Sequence, residues 1–549
     1  MAVRDKTRKR CDVANEVSRR EFLKRAGMVA GGVALSSVAA ACAPRGAAPT
    51  PTAAPGALKP KYGGKLTWAV EQDVANLIPF GPVNTSNHWG KEHIYESLVA
   101  WDRDLMVQPA LAESWETPDD TTWIWHLRKG VKYHNGDELT AEDVKYSMAL
   151  QKDPPAPGSI KTYYPKIDSV EAVDTHTVKF NMTGPDPTVL GYLAWGRYSP
   201  IVPKDAYDRW NLLTEGIGTG PFKLIQYVPN DRLEYKKYKN YWNPIIPYVD
   251  ELVIKILPDE NARIAALRAG QIDGCFLKAD SAMTLANEAN IEILKGLFSA
   301  PRVLQFTLKN EGKPWEDKRV RQAISLAINR QEIIDKVFAG EAVLSGPIPP
   351  GYGDWYIPPE ELAEKWLRYD LDEAKQLMKD AGYANGFKIT LHAIANHDAS
   401  QTAEVVKEQL KAINVEVEVL SEEIGTFAKR VGDGTFDWCS TGRGMRHDVT
   451  GYLIDFCRTD QGTYAKWFGD GKGYRNEESA ELYEQLVVTL DSAKRHEMAR
   501  TIQKNVLEDV PHVYICQPYW FHGVRDYVKD MYASFTQFYP GLRTAWLDK

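Results

Sequence analysis

PALAESWETPDDTTWIWHLRKGVKYHNGDELTAEDVKYSMAL, residues 109–150, changes period along its length. Across 122–128, Trp123, Trp125 and Leu127 alternate with Ile124, His126 and Arg128, the two-residue period of a strand with one buried face. Arg128-Lys129-Gly130 turns the chain, Val131 and Tyr133 resume the alternation, and Asn135-Gly136 supplies a second turn. Thr140 stands where a helix cap belongs, its hydroxyl placed to accept from the amide of Asp143, and Glu142 and Asp143 suit the positive end of a helix. Val144 and Met148, four apart, mark that helix's inner face. The stretch reads as strands feeding a short capped helix, and its apolar content says core rather than catalysis.

Order and spacing add something that periodicity does not. Ala112-x-x-Trp115-Glu116, then Trp123-x-Trp125-x-Leu127-Arg128-x-Gly130-Val131-x-Tyr133-His134-Asn135-Gly136, then Leu139-Thr140-Ala141-Glu142-Asp143-Val144 resembles the signature of the extracytoplasmic solute-binding proteins of ABC importers. The subgroup is family 5, whose members bind oligopeptides, dipeptides, nickel chelates, opines and some oligosaccharides. The resemblance implies an α/β fold, two-lobed and periplasmic-binding-protein-like (class II type), with a small peripheral domain. It further implies a solute ligand, membrane permease subunits as partners, a monomer, and neither cofactor nor catalysis.

Upstream, the chain begins as a targeting segment. Arg4, Lys6, Arg8, Lys9 and Arg10 make a basic leader, and Ser18-Arg19-Arg20-Glu21-Phe22-Leu23-Lys24 matches a twin-arginine export signal centred on Arg19 and Arg20. Residues 26–41 are apolar but short and rich in Ala and Gly, too weak for a membrane span. Val38-Ala39-Ala40-Ala41-Cys42 resembles a lipobox with Ala39 where Leu is usual, which makes Cys42 the expected lipidated first residue; Ala39-x-Ala41 would also suit ordinary signal peptidase. Residues 43–60, APRGAAPTPTAAPGALKP, have no hydrophobic period and read as a tether. The expectation is a signal peptide over 1–41, an anchored tether over 42–61, and residence in the periplasm or on the outer face of the cytoplasmic membrane.

Export changes the charge. Residues 1–41 carry nine Lys/Arg against four Asp/Glu, so their removal moves the net charge from −7 to −12. An acidic chain without a basic block argues against nucleic acid as a partner. Cys275, Cys439, Cys457 and Cys516 remain, with no Cys-x-x-Cys. Cys439 and Cys457 are the best disulfide candidates, and four buried thiols are the equal alternative.

Tyr62-Gly63-Gly64 leads into an alternating strand, which is how members of the family begin. There the first strand points its end at the ligand cleft, so the resemblance implies Asn84, His88 and Trp89 as cleft-wall candidates. Gly216-Ile217-Gly218-Thr219-Gly220-Pro221-Phe222 invites a nucleotide-loop reading, but a strand rather than a helix follows it. The family carries Gly-Thr-Gly-Pro at this turn, where the chain returns to its first domain. A strand over 252–257, a helix over 261–269 and a further strand entered through Gln271-Ile272-Asp273-Gly274 give β–α–β order, and Arg302–Leu308 forms a strand ending at Asn310, a further ligand candidate. Asp317 caps a helix whose Val320-Arg321-Gln322-Ala323-Ile324 is a second family motif. The implied division is 62–90, 213–299 and 519–549 for lobe I, 91–212 for the peripheral domain and 300–518 for lobe II, with a hinge near Ala300 and Trp520.

The stretch expected to choose the ligand is residues 435–455, TFDWCSTGRGMRHDVTGYLID. In peptide-binding relatives this loop supplies an aspartate for the peptide's ammonium group. Here Gly444-Met445-Arg446-His447 occupy that place and Asp448 is displaced. Arg443 and Arg446 would repel an ammonium and suit a carboxylate or phosphate, His447 can add charge, and Trp438 offers a flat face to a sugar. Alternatively the arginines brace the loop against Asp437 or Asp448. Oligopeptide, oligosaccharide and small organic anion therefore all stand as ligands. No Gly-x-Ser-x-Gly or His-Glu-x-x-His motif supports an enzyme. A secreted hydrolase built on two carboxylates, or a ligand-sensing partner of a membrane receptor, are the alternatives.

Overall fold

Leu66, Trp68 and Val70 are buried along the first strand, Lys65–Val70, which pairs in parallel with Glu251–Ile256 and Gly274–Leu277. The computed structural model describes residues 58–74, 76–80, 89–152, 166–195, 199–395, 398–458, 467–468, 474–535 and 541–549. Within them runs a twelve-stranded mixed sheet. Its path is Val415–Glu422, Phe387–Ile394, Trp438–Gly442, Arg302–Phe306, His512–Arg525, Gly274–Leu277, Lys65–Val70, Glu251–Ile256, Arg232–Lys237 and Phe222–Val228. Ile291–Leu297 and Ala342–Val343 pair with His512–Arg525 off this path.

His512–Arg525 joins the two halves, and it is called the crossing strand below. Its first residues pair with Arg302–Phe306, Arg302 opposite Cys516 and Gln305 opposite His512. Its last pair with Gly274–Leu277, Leu277 opposite Phe521 and Gly274 opposite Val524. Fourteen extended residues span about 46 Å, enough to serve two separate cores. Pro518, which has no N–H to give a ladder, sits between the two pairings, and its carbonyl accepts from the Phe298 amide at 2.9 Å.

The apolar side chains segregate accordingly. One cluster draws on residues 303–516 together with Trp195, a second joins residues 66–95 and 202–276 to 524–547, and a third fills the region from Leu98 to Ile201. The third holds Trp125, Leu127, Val131, Tyr133, Val144 and Met148, the inner positions expected from the opening stretch. One detail differs there. The Asp143 carboxylate accepts from the Thr140 amide at 2.7 Å and hydroxyl at 2.9 Å, so the acid caps and the threonine donates. A carboxylate can take both donors at once, and burial, which pushes this acid's pKa up, makes both worth keeping.

The glycine run is likewise a packing device. A Cβ at Gly218 would lie 2.1 Å from the Ile94 carbonyl and one at Gly220 2.4 Å from that of His93, while the Gly220 amide bonds Ile94 at 2.8 Å. The backbones touch, and Phe222–Val228 follows as a strand. The four cysteines 275, 439, 457 and 516 are free and buried, so Cys439 and Cys457 are not bridged. Among the described residues no helix is long and apolar enough to cross a membrane.

Candidate functional site

Where the two halves of the sheet meet, one side is aromatic. Phe276 stacks on Trp89 at 5.1 Å, meets Trp520 at 5.2 Å and meets His522 edge-on at 4.6 Å, and Phe298 lies 5.4 Å from Trp520. Gly274 makes room for this wall, since a Cβ there would come within 2.4 Å of the Trp68 ring. His522 is fully buried, and burial holds its imidazole neutral with a pKa down at about 3, so it packs as one more ring. The wall carries no charge.

The other side is a lattice of ions. Arg302 opens the next strand and holds Asp398 with two bonds, 2.9 Å and 2.6 Å, while its Nη1 donates to the Ala300 carbonyl at 2.9 Å. A Cβ at Gly442 would strike that Nη1 at 2.8 Å, which is why the paired strand ends on glycine. The chain then enters residues 443–448. Arg443 is buried in tight contact with Asp455, over the rings of Phe456 and Trp467. Burial, with Arg446 alongside, brings its pKa down to about 10.

Arg446 is held differently. Its side chain is 33% exposed, and its Nη2 reaches Asp455 only at 4.0 Å. Its Nε is buried without a hydrogen-bond partner among the described residues. Tyr352 fixes its backbone, donating to the Arg446 carbonyl at 2.5 Å and accepting from the amide at 3.2 Å. The Tyr452 hydroxyl donates to Ser299 at 3.4 Å, tying this loop to the segment that carries Phe298. His447 stacks on Tyr192 at 3.5 Å and 18°, and burial takes its pKa to about 3. Asp448 accepts from Arg495 at 3.1 and 3.3 Å and from the Thr450 amide at 2.9 Å.

The structure therefore brings Arg443, Arg446, His447 and Asp448 together, and sets Trp89 in the aromatic wall on Phe276. It does not bring Trp438 or Asn310 there. Trp438 is fully buried and stacked on Phe306 at 5.1 Å and 6°, so it offers no face to a solute. Strand alternation, which turns it inward opposite Phe306, outweighs its sequence proximity to the arginines. Asn310 is exposed and lies beyond the Phe306 end of its strand, whereas Gly442 and the loop lie at the Arg302 end. The braces are also other than expected, because Arg443 takes Asp455 and Asp448 takes Arg495. Asn84, His88, Cys42, Arg19 and Arg20 fall outside the described residues.

Arg302, Asp398, Phe276, Phe298, Trp520, Tyr352 and Asp455 were not anticipated as parts of this site. Two left a trace. Arg302 opens the otherwise uncharged, fully buried RVLQF, and Asp455 is the one acid in the apolar helix TGYLIDFC. A lone ion in a buried element requires a partner.

A family model described as bacterial extracellular solute-binding proteins, family 5 middle, matches residues 106–464. The glutathione-binding protein GsiB of Escherichia coli K12 is 27% identical over 464 residues, covering 81% of this chain and 87% of that one. The periplasmic binding protein DppA of Helicobacter pylori, solved with the peptide STSA, superposes with a TM-score of 0.72 at 26% identity, over 89% of this chain and 99% of that one. AgaA of A. tumefaciens R10, solved with agropinic acid, gives 0.72 and 26% over 88% and 99%.

Proposed function

The chain belongs to the bacterial extracellular solute-binding proteins of family 5, which deliver peptide-, nickel- or opine-type ligands to ABC transporters, and from that premise we propose that its solute carries a carboxylate held by Arg446. The observation that carries this reading is that two guanidiniums share one carboxylate. Arg443 occupies Asp455 in tight contact, and Arg446 stands 4.0 Å off with a donor to spare. One positive charge is left over, at a partly exposed position. A planar guanidinium there matches a carboxylate in charge and in bidentate geometry.

An ammonium ligand is less well served, because Asp448, the acid nearest the expected place, is already matched by Arg495. Glutathione, a peptide and agropinic acid, the ligands named for similar proteins, each present a carboxyl group. The buried Trp438 takes away the feature that favoured a sugar.

We further propose that residues 62–90, 213–299 and 519–549 move as one lobe, residues 300–518 as the other and residues 91–212 as the peripheral domain. The lobes close near Ala300 and Trp520, so that the solute stabilises the closed state through contacts it makes only there. Export by the Arg19-Arg20 signal and anchoring through lipidated Cys42 complete the reading, and the solute is recovered intact.

Calorimetry with a short peptide and with its C-terminal amide tests the central claim. The free acid binds and the amide binds at least tenfold more weakly. A charge-assisted bond contributes about 1.5–3 kcal/mol, so Arg446→Ala weakens the acid by about tenfold to a hundredfold. Equal binding of acid and amide, unaffected by Arg446→Ala and lost in Asp448→Ala, would overturn it.

A further inference from the structure

A cavity of about 180 Å³ lies apart from the arginine loop, between residues 92–102 and the C-terminal residues 541–544. Trp101 stands on one side of it, backed by the fully buried Trp195 with ring centroids 5.9 Å apart, and Glu92, His93, Glu96, Asp102 and Arg543 line it as well. The two glutamates differ sharply. Glu96 is saturated, accepting from Tyr241 at 2.7 Å, Trp242 at 2.9 Å and Thr219 at 3.0 Å, with Arg543 at 3.7 Å. Glu92 is 5% exposed, yet neither of its carboxyl oxygens has a hydrogen-bond partner among the described residues. Arg543 spends an N–H on the Glu92 backbone carbonyl and another on that of Tyr95.

We infer that this cavity is a second ligand pocket, which takes a small organic ammonium ion with Glu92 as counter-charge and Trp101 as its aromatic wall. The alternatives fit less well. An anion would face three carboxyl groups, those of Glu92, Glu96 and Asp102, with one guanidinium, already engaged, to oppose them. A metal ion lacks its ligands, since no group of three His, Cys, Asp or Glu able to hold one occurs among the described residues. A neutral apolar guest would leave a buried carboxyl unpaired, which is costly. An ammonium ion satisfies that carboxyl with its N–H donors and meets the Trp101 ring, whose face favours a cation.

The pocket also has a protonic signature. Glu92 is faced by Arg543, by His93 with its Nε2 at 3.8 Å, and by Tyr235 and Tyr532. Burial pushes its pKa well above the usual carboxylate range despite the arginine, while burial lowers that of His93 to about 3, so the imidazole stays neutral. A docked cation favours the ionised carboxyl, so binding is coupled to loss of the Glu92 proton and tightens as pH rises through its titration.

The test titrates the purified protein with propylammonium chloride at pH 6 and pH 8, followed by calorimetry in buffers of different ionisation heats. Tetramethylammonium and acetate at matched ionic strength are the comparators. Saturable propylammonium binding that releases a proton and strengthens several-fold at the higher pH is expected, with tetramethylammonium weaker and acetate silent. Glu92→Gln weakens it by tenfold or more, and Trp101→Leu, which keeps an apolar wall without the ring face, by about fivefold. Arg446→Ala leaves it unchanged, so this pocket and the carboxylate reading stand or fall separately. No saturable binding, binding indifferent to Glu92→Gln, acetate binding, or loss in Arg446→Ala would overturn the inference. If Glu92→Gln does not fold, indifference to both Trp101→Leu and pH overturns it equally.

Discussion

The two sides of the site are built from opposite materials. Around Phe276, Trp89, Trp520 and His522 nothing is charged, and the rings hold one another by area alone. Around Arg302, Arg443 and Arg446 almost every group is an ion with a designated partner. A neutral wall attracts apolar surface without regard to sign, whereas an ion lattice with one charge left over sorts solutes by charge. Contact area and selection are thus supplied by separate parts of the chain, and each can be altered alone.

The largest effect expected from breaking this contrast is on the charged side. Arg443→Ala leaves Asp455 buried with only a distant guanidinium, and breaking such a buried pair costs about 3–5 kcal/mol. Thermal unfolding should report a clearly lowered midpoint, whereas the neighbouring Arg446→Ala, at a partly exposed position, should hardly move it. Equal midpoints for the two variants would show that the loop is not braced by Asp455.

That pair also marks where reading the sequence succeeds and where it stops. The opening signature, the glycine turn and the strand–helix order were legible because they rest on local periodicity and on residues with narrow backbone or packing requirements. The loop of residues 443–448 was legible as a place, since its arginines stand where an acid was expected. Its partners were not. Arg302 and Asp398 are 96 residues apart and Arg495 lies 47 beyond Asp448, distances over which spacing carries no information. Trp438 shows a third failure, in which closeness along the chain was read as closeness in space although strand alternation points alternate residues apart.

On the neutral side the expected effect is smaller and depends on pH. His522 has its folded-state pKa near 3, below the value of about 6.5 for an unfolded histidine. Above pH 6.5 both states are neutral and the residue adds no pH dependence. Below it the unfolded chain takes a proton that the fold refuses, so stability falls by about 1.4 kcal/mol per unit as pH drops toward 3. His93, His447 and His512, held equally low by burial, add to the same slope. His522→Phe keeps a ring in the wall and removes one proton site, so it should retain about 2 kcal/mol more stability than the parent at pH 5, relative to pH 7. Urea midpoints at the two pH values measure this. A drop as large in the variant as in the parent would mean that His522 is charged in the fold.

The smallest effect probes what joins the peripheral region to the charged loop. The short helix Val189–Ala194 approaches residue 447 so closely that a Cβ at Gly191 would lie 2.5 Å from the His447 carbonyl, and Tyr192 stacks on the imidazole at 3.5 Å. Because burial keeps His447 neutral down to a pKa of about 3, the contact is ring on ring rather than cation on ring. An aromatic pair contributes about 0.5–1.5 kcal/mol beyond its buried area, so Tyr192→Ala should weaken a carboxylate solute by about twofold to tenfold by loosening the backbone next to Arg446. Tyr192→Phe should restore parental affinity, since the ring and not the hydroxyl makes the stack. The deficit of Tyr192→Ala should also be the same at pH 6 and pH 8, because neither ring changes charge between them. A deficit that grows at pH 6 would show the imidazole taking up a proton, and would place a second cation beside Arg446.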